Sequence, residues 1–217
     1  MMKHLKVIFG IVALVAVTLF SSCNDDDNPQ PEAVDFGTAP SSSLITTGAV
    51  AVIGVNGTQT IGDLAFIFDK VANAETGENG YFYNEELKAV FAGDLVYNLT
   101  HPYLREYTPN DGGDEIDNWV AGLNVLKTNF SDYNHLFVGH NGSRSDVGAV
   151  IDENIDYLQN AQNLIKGTQT ISGGGTATTQ QEVVDELQLL YPSYKVGGLL
   201  FSLPDAFFPG DPGASWF

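Results

Sequence analysis

Two apolar runs each end in a residue able to bind a metal: Ala89-Val90-Phe91-Ala92-Gly93-Asp94 and His135-Leu136-Phe137-Val138-Gly139-His140. A carboxylate or imidazole set where a buried strand stops is held rigidly by the backbone behind it yet stays within reach of a substrate. A hydrolytic metal site needs that arrangement. Gly93 permits a close backbone approach before Asp94, and His140 lies between Gly139 and Asn141-Gly142 at a strand-to-loop transition. The plain alternatives are a turn or capping carboxylate for Asp94 and a structural imidazole for His140. His101, seven residues past Asp94, is an auxiliary or substrate-side candidate, or else the start of a loop over the site. Arg144 suits a substrate carboxylate or phosphate, and equally an ion pair with one of the chain's many acids.

These residues need strands to carry them. The sequence predicts a strand over 50–55, a turn at Asn56-Gly57, and strands near 64–68, 80–83 and 89–97. The continuous apolar character of 64–68 and 89–92 predicts strands covered on both faces. Trp119, Leu123, Leu126 and Phe130 recur at helical spacing, with Asp114 as a candidate N-cap. Val147, Ile151, Ile155, Leu158 and Ile165 mark a second helix that Gly167 ends, and a third spans 180–190 after a Gly-, Thr- and Ser-rich loop. Strands first, then a strand alternating with helices, make a layered α/β domain.

Composition narrows the function. The 217 residues, 43% apolar, suffice for one domain with a substantial core, here placed at 46–217. With 27 acidic against 9 basic residues the formal charge is −18, which excludes nucleic acid as a partner because phosphate binding needs basic patches. Residues 1–22 read as a signal peptide: Lys3, His4 and Lys6 precede an apolar stretch at 7–20, short for a bilayer span, with an uncleaved signal anchor as the alternative. Cys23, the sole cysteine, is the candidate lipidation site, and the lipid would anchor the protein to a membrane. Asn24-Asp25-Asp26-Asp27-Asn28 directly follow it, and residues 23–45 form an acidic, Pro- and Ser-rich tether. Ser21-Ser22-Cys23 is similar to a bacterial lipoprotein signal and the acidic block resembles a lipoprotein surface-export signal, which implies the outer membrane, surface-exposed or facing the periplasm.

The strand-end Asp94 and the Gly139-His140 pair, with Trp119 and Leu123 between them, resemble the second half of the metallo-β-lactamase superfamily. The resemblance covers roughly residues 50–194. Upstream, Ala74-Glu75-Thr76-Gly77-Glu78-Asn79 is similar to the family's turn before a strand, and Glu75 stands 19 residues before Asp94, where the family usually has a zinc-binding histidine. Glu75 would replace it as a hard oxygen ligand, which zinc accepts and which also suits manganese or iron; its alternative is a solvated loop carboxylate. The family's H-x-H-x-D-H motif is absent, the histidines being His4, His101, His135 and His140. The resemblance thus implies a partial αββα sandwich, mainly its second half, with Asp94, His140 and Glu75 holding one zinc ion at most. It implies hydrolysis of an ester, lactone, sulfate or amide-type bond in a small-molecule substrate if the site is completed, weak or no activity otherwise, and as the alternative a degenerate binding or partner-interaction lipoprotein. A half sandwich would leave an apolar sheet face wet, so self-association or a partner chain supplying the missing half is expected, with Val52, Phe66, Phe68 and Phe91 among the contact residues.

Overall fold

The computed structural model describes residues 56–104, 115–195 and Phe208. The signal peptide, Cys23, the tether, the strand expected at 50–55, Val52 and the Asp114 cap lie outside the described residues. Within them, β1 (Thr58–Ile61), β2 (Leu64–Ala72), β3 (Glu78–Asn84) and β4 (Ala89–Gly93) form an antiparallel meander. The helix α1 (Glu115–Phe130) then carries the chain to β5 (His135–Val138), which pairs with β4 in parallel. A short antiparallel β6 (Ser143–Arg144), α2 (Val147–Ile165) and α3 (Gln180–Leu190) follow, and the sheet order is β1-β2-β3-β4-β5-β6. The architecture is a layered α/β domain.

One sheet face supplies the helix-side core. Tyr81, Val90, Ala92 and Leu136 pack with Trp119, Leu123, Leu126 and Phe130 of α1 and with Val150, Ile151, Tyr157 and Leu158 of α2. Helix α1 approaches β2 closely because residue 122 is glycine: a Cβ there would lie 2.3 Å from Val71 Cγ1. The other face carries a row of rings. Cross-strand partners share a face, and Phe68 opposes Phe82, Phe82 opposes Phe91, and Phe91 opposes Phe137. Phe91 and Phe137 stack at 4.6 Å, and Phe66 meets Phe91 edge-on at 6.0 Å. Phe66 and Phe91, expected as contacts on a wet face, are only 3% and 4% exposed, while Phe68 is partly buried.

The helices match their expected spans, and the reasons are local. Thr179 accepts from the Glu182 N–H while the Glu182 carboxylate reaches back to the Thr179 N–H, a capping box that starts α3. Gly167, at φ 63°, lets the chain leave α2. The strands depart more. The strand expected over 89–97 stops at Gly93, whose φ of 55° breaks the extended run, and the Leu95 N–H turns back to the Ala92 carbonyl. Strand β2 is not covered on both faces, since Ala65 is exposed between buried Leu64 and Phe66. It also runs four residues beyond the expected end at 68, because Asp69–Ala72 pair with β3. Strands β1 and β6 were not anticipated from the pattern. Both are short, and most of their residues are exposed.

Candidate functional site

Parallel pairing brings the ends of β4 and β5 to the same place. The Gly139 N–H donates to the Gly93 carbonyl at 2.9 Å, so the two residues that follow those glycines are held side by side. His140 Nε2 lies 3.5 Å from Asp94 Oδ1. Asp94 Oδ1 is buried and has no hydrogen-bond partner among the described residues. Burial raises the Asp94 carboxyl above the usual carboxylate range, and the charge of His140 pulls it partly back.

Gly139 is what allows this approach, because a Cβ on it would come within 1.8 Å of Asp94 Oδ1. The His140 ring lies nearly parallel to Tyr97, at 5.2 Å and 10°. Tyr97 is fixed in turn by Asn154 of α2, whose Oδ1 accepts from the Tyr97 N–H and whose Nδ2 donates to the Tyr97 carbonyl, both at 2.8 Å. A second clasp joins the loops after the two strands. Asn98 Nδ2 donates to the Asn141 carbonyl and Asn141 Nδ2 to the Asn98 carbonyl, again both at 2.8 Å.

The expected site residues divide. Asp94 and His140 meet. Glu75 is buried in the turn between β2 and β3, where its carboxylate accepts from Asn79 Nδ2 at 3.0 Å. It is felt electrostatically at Tyr97, whose phenol is raised first by burial and then by the charges of Asp94 and Glu75. It does not complete a ligand set: among the described residues no three His, Cys, Asp or Glu side chains form a group able to hold a metal ion. His101 is 2% exposed, and its Nδ1 lies 2.9 Å from the Tyr157 hydroxyl, so it faces an aromatic cage. Arg144 takes the ion-pair alternative: it donates to both Asp146 carboxylate oxygens, to Glu153 and to Asn98 Oδ1.

The Asp94–His140 separation suits two ligands of one tetrahedral ion, since metal–donor distances of about 2.0–2.1 Å put such donors roughly 3.4 Å apart. The orphaned Asp94 oxygen suits it too. Two donors nevertheless fall short of the three protein ligands of a catalytic zinc, so the described residues alone do not fit a resident metal. Tyr97, Asn98, Gly139, Asn141 and Asn154 were missed as positioning residues. The available signal was Asn98-Leu99-Thr100 and Asn141-Gly142-Ser143, two Asn turns placed just past the two candidate donors.

The solved structures that this chain is similar to include metallo-β-lactamases and a sulfatase. A metallo-β-lactamase from Pontibacter korlensis matches at 19% identity and TM-score 0.40, over 48% of this chain and 46% of that one. A metallo-β-lactamase family protein from Thermus thermophilus matches at 16% and 0.45, over 68% and 46%. A stereoselective inverting sec-alkylsulfatase from Pseudomonas sp. matches at 15% and 0.40, over 62% and 21%. The chain therefore spans less than half the length of each. No protein-family model and no curated protein matches it.

Proposed function

We propose that this chain is a lipid-anchored surface protein on a hydrolase-type scaffold, carrying part of a metal-dependent hydrolytic site and weak or inactive by itself. The observation that supports it is the convergence of Asp94 and His140, with Asp94 Oδ1 buried and without a hydrogen-bond partner among the described residues. Completed by donors from a second copy or another chain, the pair would help hold one ion, zinc or else manganese or iron. The chemistry such a completed site would supply is metal-activated water for an ester, lactone, sulfate or amide-type bond of a small molecule. Asp94 as carboxylate and His140 as neutral imidazole would be two of the donors that hold and orient the ion. A non-catalytic binding lipoprotein is the second reading, favoured by the missing third donor among the described residues.

Elemental analysis of the full-length protein in detergent, beside Asp94→Ala, separates the readings. At most one transition-metal ion per chain is expected, lost in Asp94→Ala. Two ions per chain would overturn the incomplete-site proposal, while none in either protein selects the binding reading. The anchor has its own check. Cys23→Ser should leave the membrane fraction or remain unprocessed, and a variant processed and fractionated like the parent would remove lipidation from the proposal.

A further inference from the structure

His101 belongs to neither strand end, yet its surroundings are built with care. Its ring packs against Tyr157 of α2 at 5.7 Å and Tyr194 at 5.6 Å; those two phenols stack on each other at 5.5 Å and 9°, and Tyr191 closes on both. Tyr157 is fully buried. Among the described residues, the titratable groups that meet the imidazole are thus phenols. Of the charged groups on the packing elements, Asp156 is engaged with the Tyr191 hydroxyl, Lys195 Nζ with Asn141 Oδ1 and one oxygen of Glu153 with Arg144, while Glu153 Oε2 is buried with no hydrogen-bond partner among the described residues.

The cage is joined to the candidate site by one short path. The His101 N–H donates to the Lys195 carbonyl at 3.1 Å and the Lys195 N–H to the Leu99 carbonyl at 2.9 Å, pairing Thr100 with Lys195 as a parallel bridge. Asn98, immediately before that bridge, is one half of the clasp on Asn141, and the Lys195 ammonium bonds the other half. Asn141 directly follows His140.

From this juxtaposition we infer that the buried His101 cage and the Leu99–Lys195 bridge form an acid-sensitive latch, which holds the loops bearing Asp94 and His140 together and releases them when His101 takes a proton. That those loops frame a functional site rests on the reading above; the latch itself does not. A charged imidazole among phenols, with no carboxylate bonded to it among the described residues, has lost its hydration without compensation. Burial accordingly pushes His101 down to about 4, from an ordinary value of about 6.5. The released ring, back in water, regains the ordinary value. The sign follows: the closed state binds fewer protons between those values, so the open-to-closed ratio should grow about tenfold per pH unit as pH falls from about 6.5 to about 4, and be flat on either side.

Amide hydrogen exchange on the full-length protein in detergent, corrected for intrinsic rates, reads this directly. Peptides spanning 96–104, 191–195 and 136–145 should lose protection together over that window, while the centre of α1 around Leu123 keeps it. His101→Phe, which fills the cage with a ring that cannot titrate, should leave all three peptides protected and flat with pH. Should that variant not fold, 13C-labelled histidine in the parent gives a second measure: His101 should stay neutral down to the pH at which the peptides open. The inference is overturned if protection in the parent does not change with pH. It is equally overturned if His101→Phe keeps the parent's pH dependence, if 96–104 opens while 136–145 stays closed, or if His101 titrates near 6.5 with the peptides still protected. None of these outcomes touches metal content, which is measured at neutral pH and tests the functional reading separately.

Discussion

Gly139→Ala should displace the Asp94 carboxylate and abolish whatever metal the parent retains, matching Asp94→Ala in elemental analysis. Residue 139 is not among the residues with a left-handed φ, so alanine is conformationally acceptable there. The obstacle is purely steric: the new methyl would stand 1.8 Å from Asp94 Oδ1, far inside any contact distance. Overpacking of this kind costs about 1–3 kcal/mol, measurable by urea denaturation. The double variant Gly139→Ala with Asp94→Ala supplies the decisive comparison. If the methyl and the carboxylate compete for one space, removing the carboxylate should recover most of the stability lost to the methyl. Additive losses would mean that Gly139 serves some other contact.

Asn154→Ala should be more damaging to stability than any change at the pair itself. The side chain is 3% exposed and satisfies both backbone groups of Tyr97, besides donating to the Val150 carbonyl of its own helix. Truncation leaves the Tyr97 N–H and carbonyl without partners in a dry interior, each at about 1–3 kcal/mol. A total loss of about 3–5 kcal/mol is expected, with the Tyr97 ring freed from its stack on His140. Asn154→Asp distinguishes lost hydrogen bonds from lost volume. The carboxylate keeps the acceptor for the Tyr97 N–H but lacks the donor for its carbonyl, so its loss at neutral pH should persist although its size is unchanged. A variant within about 0.5 kcal/mol of the parent would show that water replaces the amide.

The parts legible in the sequence are those whose signals are local. Thr179 and Glu182 announce the start of α3 by themselves, and Val147 to Ile165 trace the buried stripe of α2 up to a glycine that has to end it. Asp94 and His140 were legible for a related reason, since a polar residue following a glycine at the close of an apolar run stands out. Their meeting was not local information. It required β4 and β5 to be parallel neighbours, which α1 brings about between residues 94 and 135.

Elsewhere the pattern misled for identifiable reasons. Leu95, Val96 and Tyr97 are as apolar as any strand residue, but Gly93 had already turned the chain, and they are buried by α1 and α2 instead of by sheet pairing: the Trp119 indole N–H donates to the Leu95 carbonyl at 2.9 Å. Thr58–Ile61 lacked a buried face to announce it as a strand. Glu75 carried the right chemistry at a suggestive spacing, but Asn79 takes up its carboxylate inside its own turn. A single His such as His101 does not reveal whether it will face solvent, a metal or three phenols, because that depends on Tyr157 and Tyr194, more than fifty positions downstream.

The parallel pairing of β4 with β5 gives the molecule a working pole and a quiet one. Everything that follows either strand emerges at the end where Asp94, His140 and the asparagine clasp lie. The residues that precede them gather at the opposite end, where Lys88 pairs with Asp132 and lies over the Tyr133 ring, and Glu85 and Glu86 are exposed. A fluorophore, affinity tag or inserted domain placed at Glu85-Glu86 is therefore separated from the pair by the full length of a buried strand. For reporter design on this scaffold, that turn is the natural attachment point, and the loop at Asn141-Gly142, although equally exposed, is the one to leave alone.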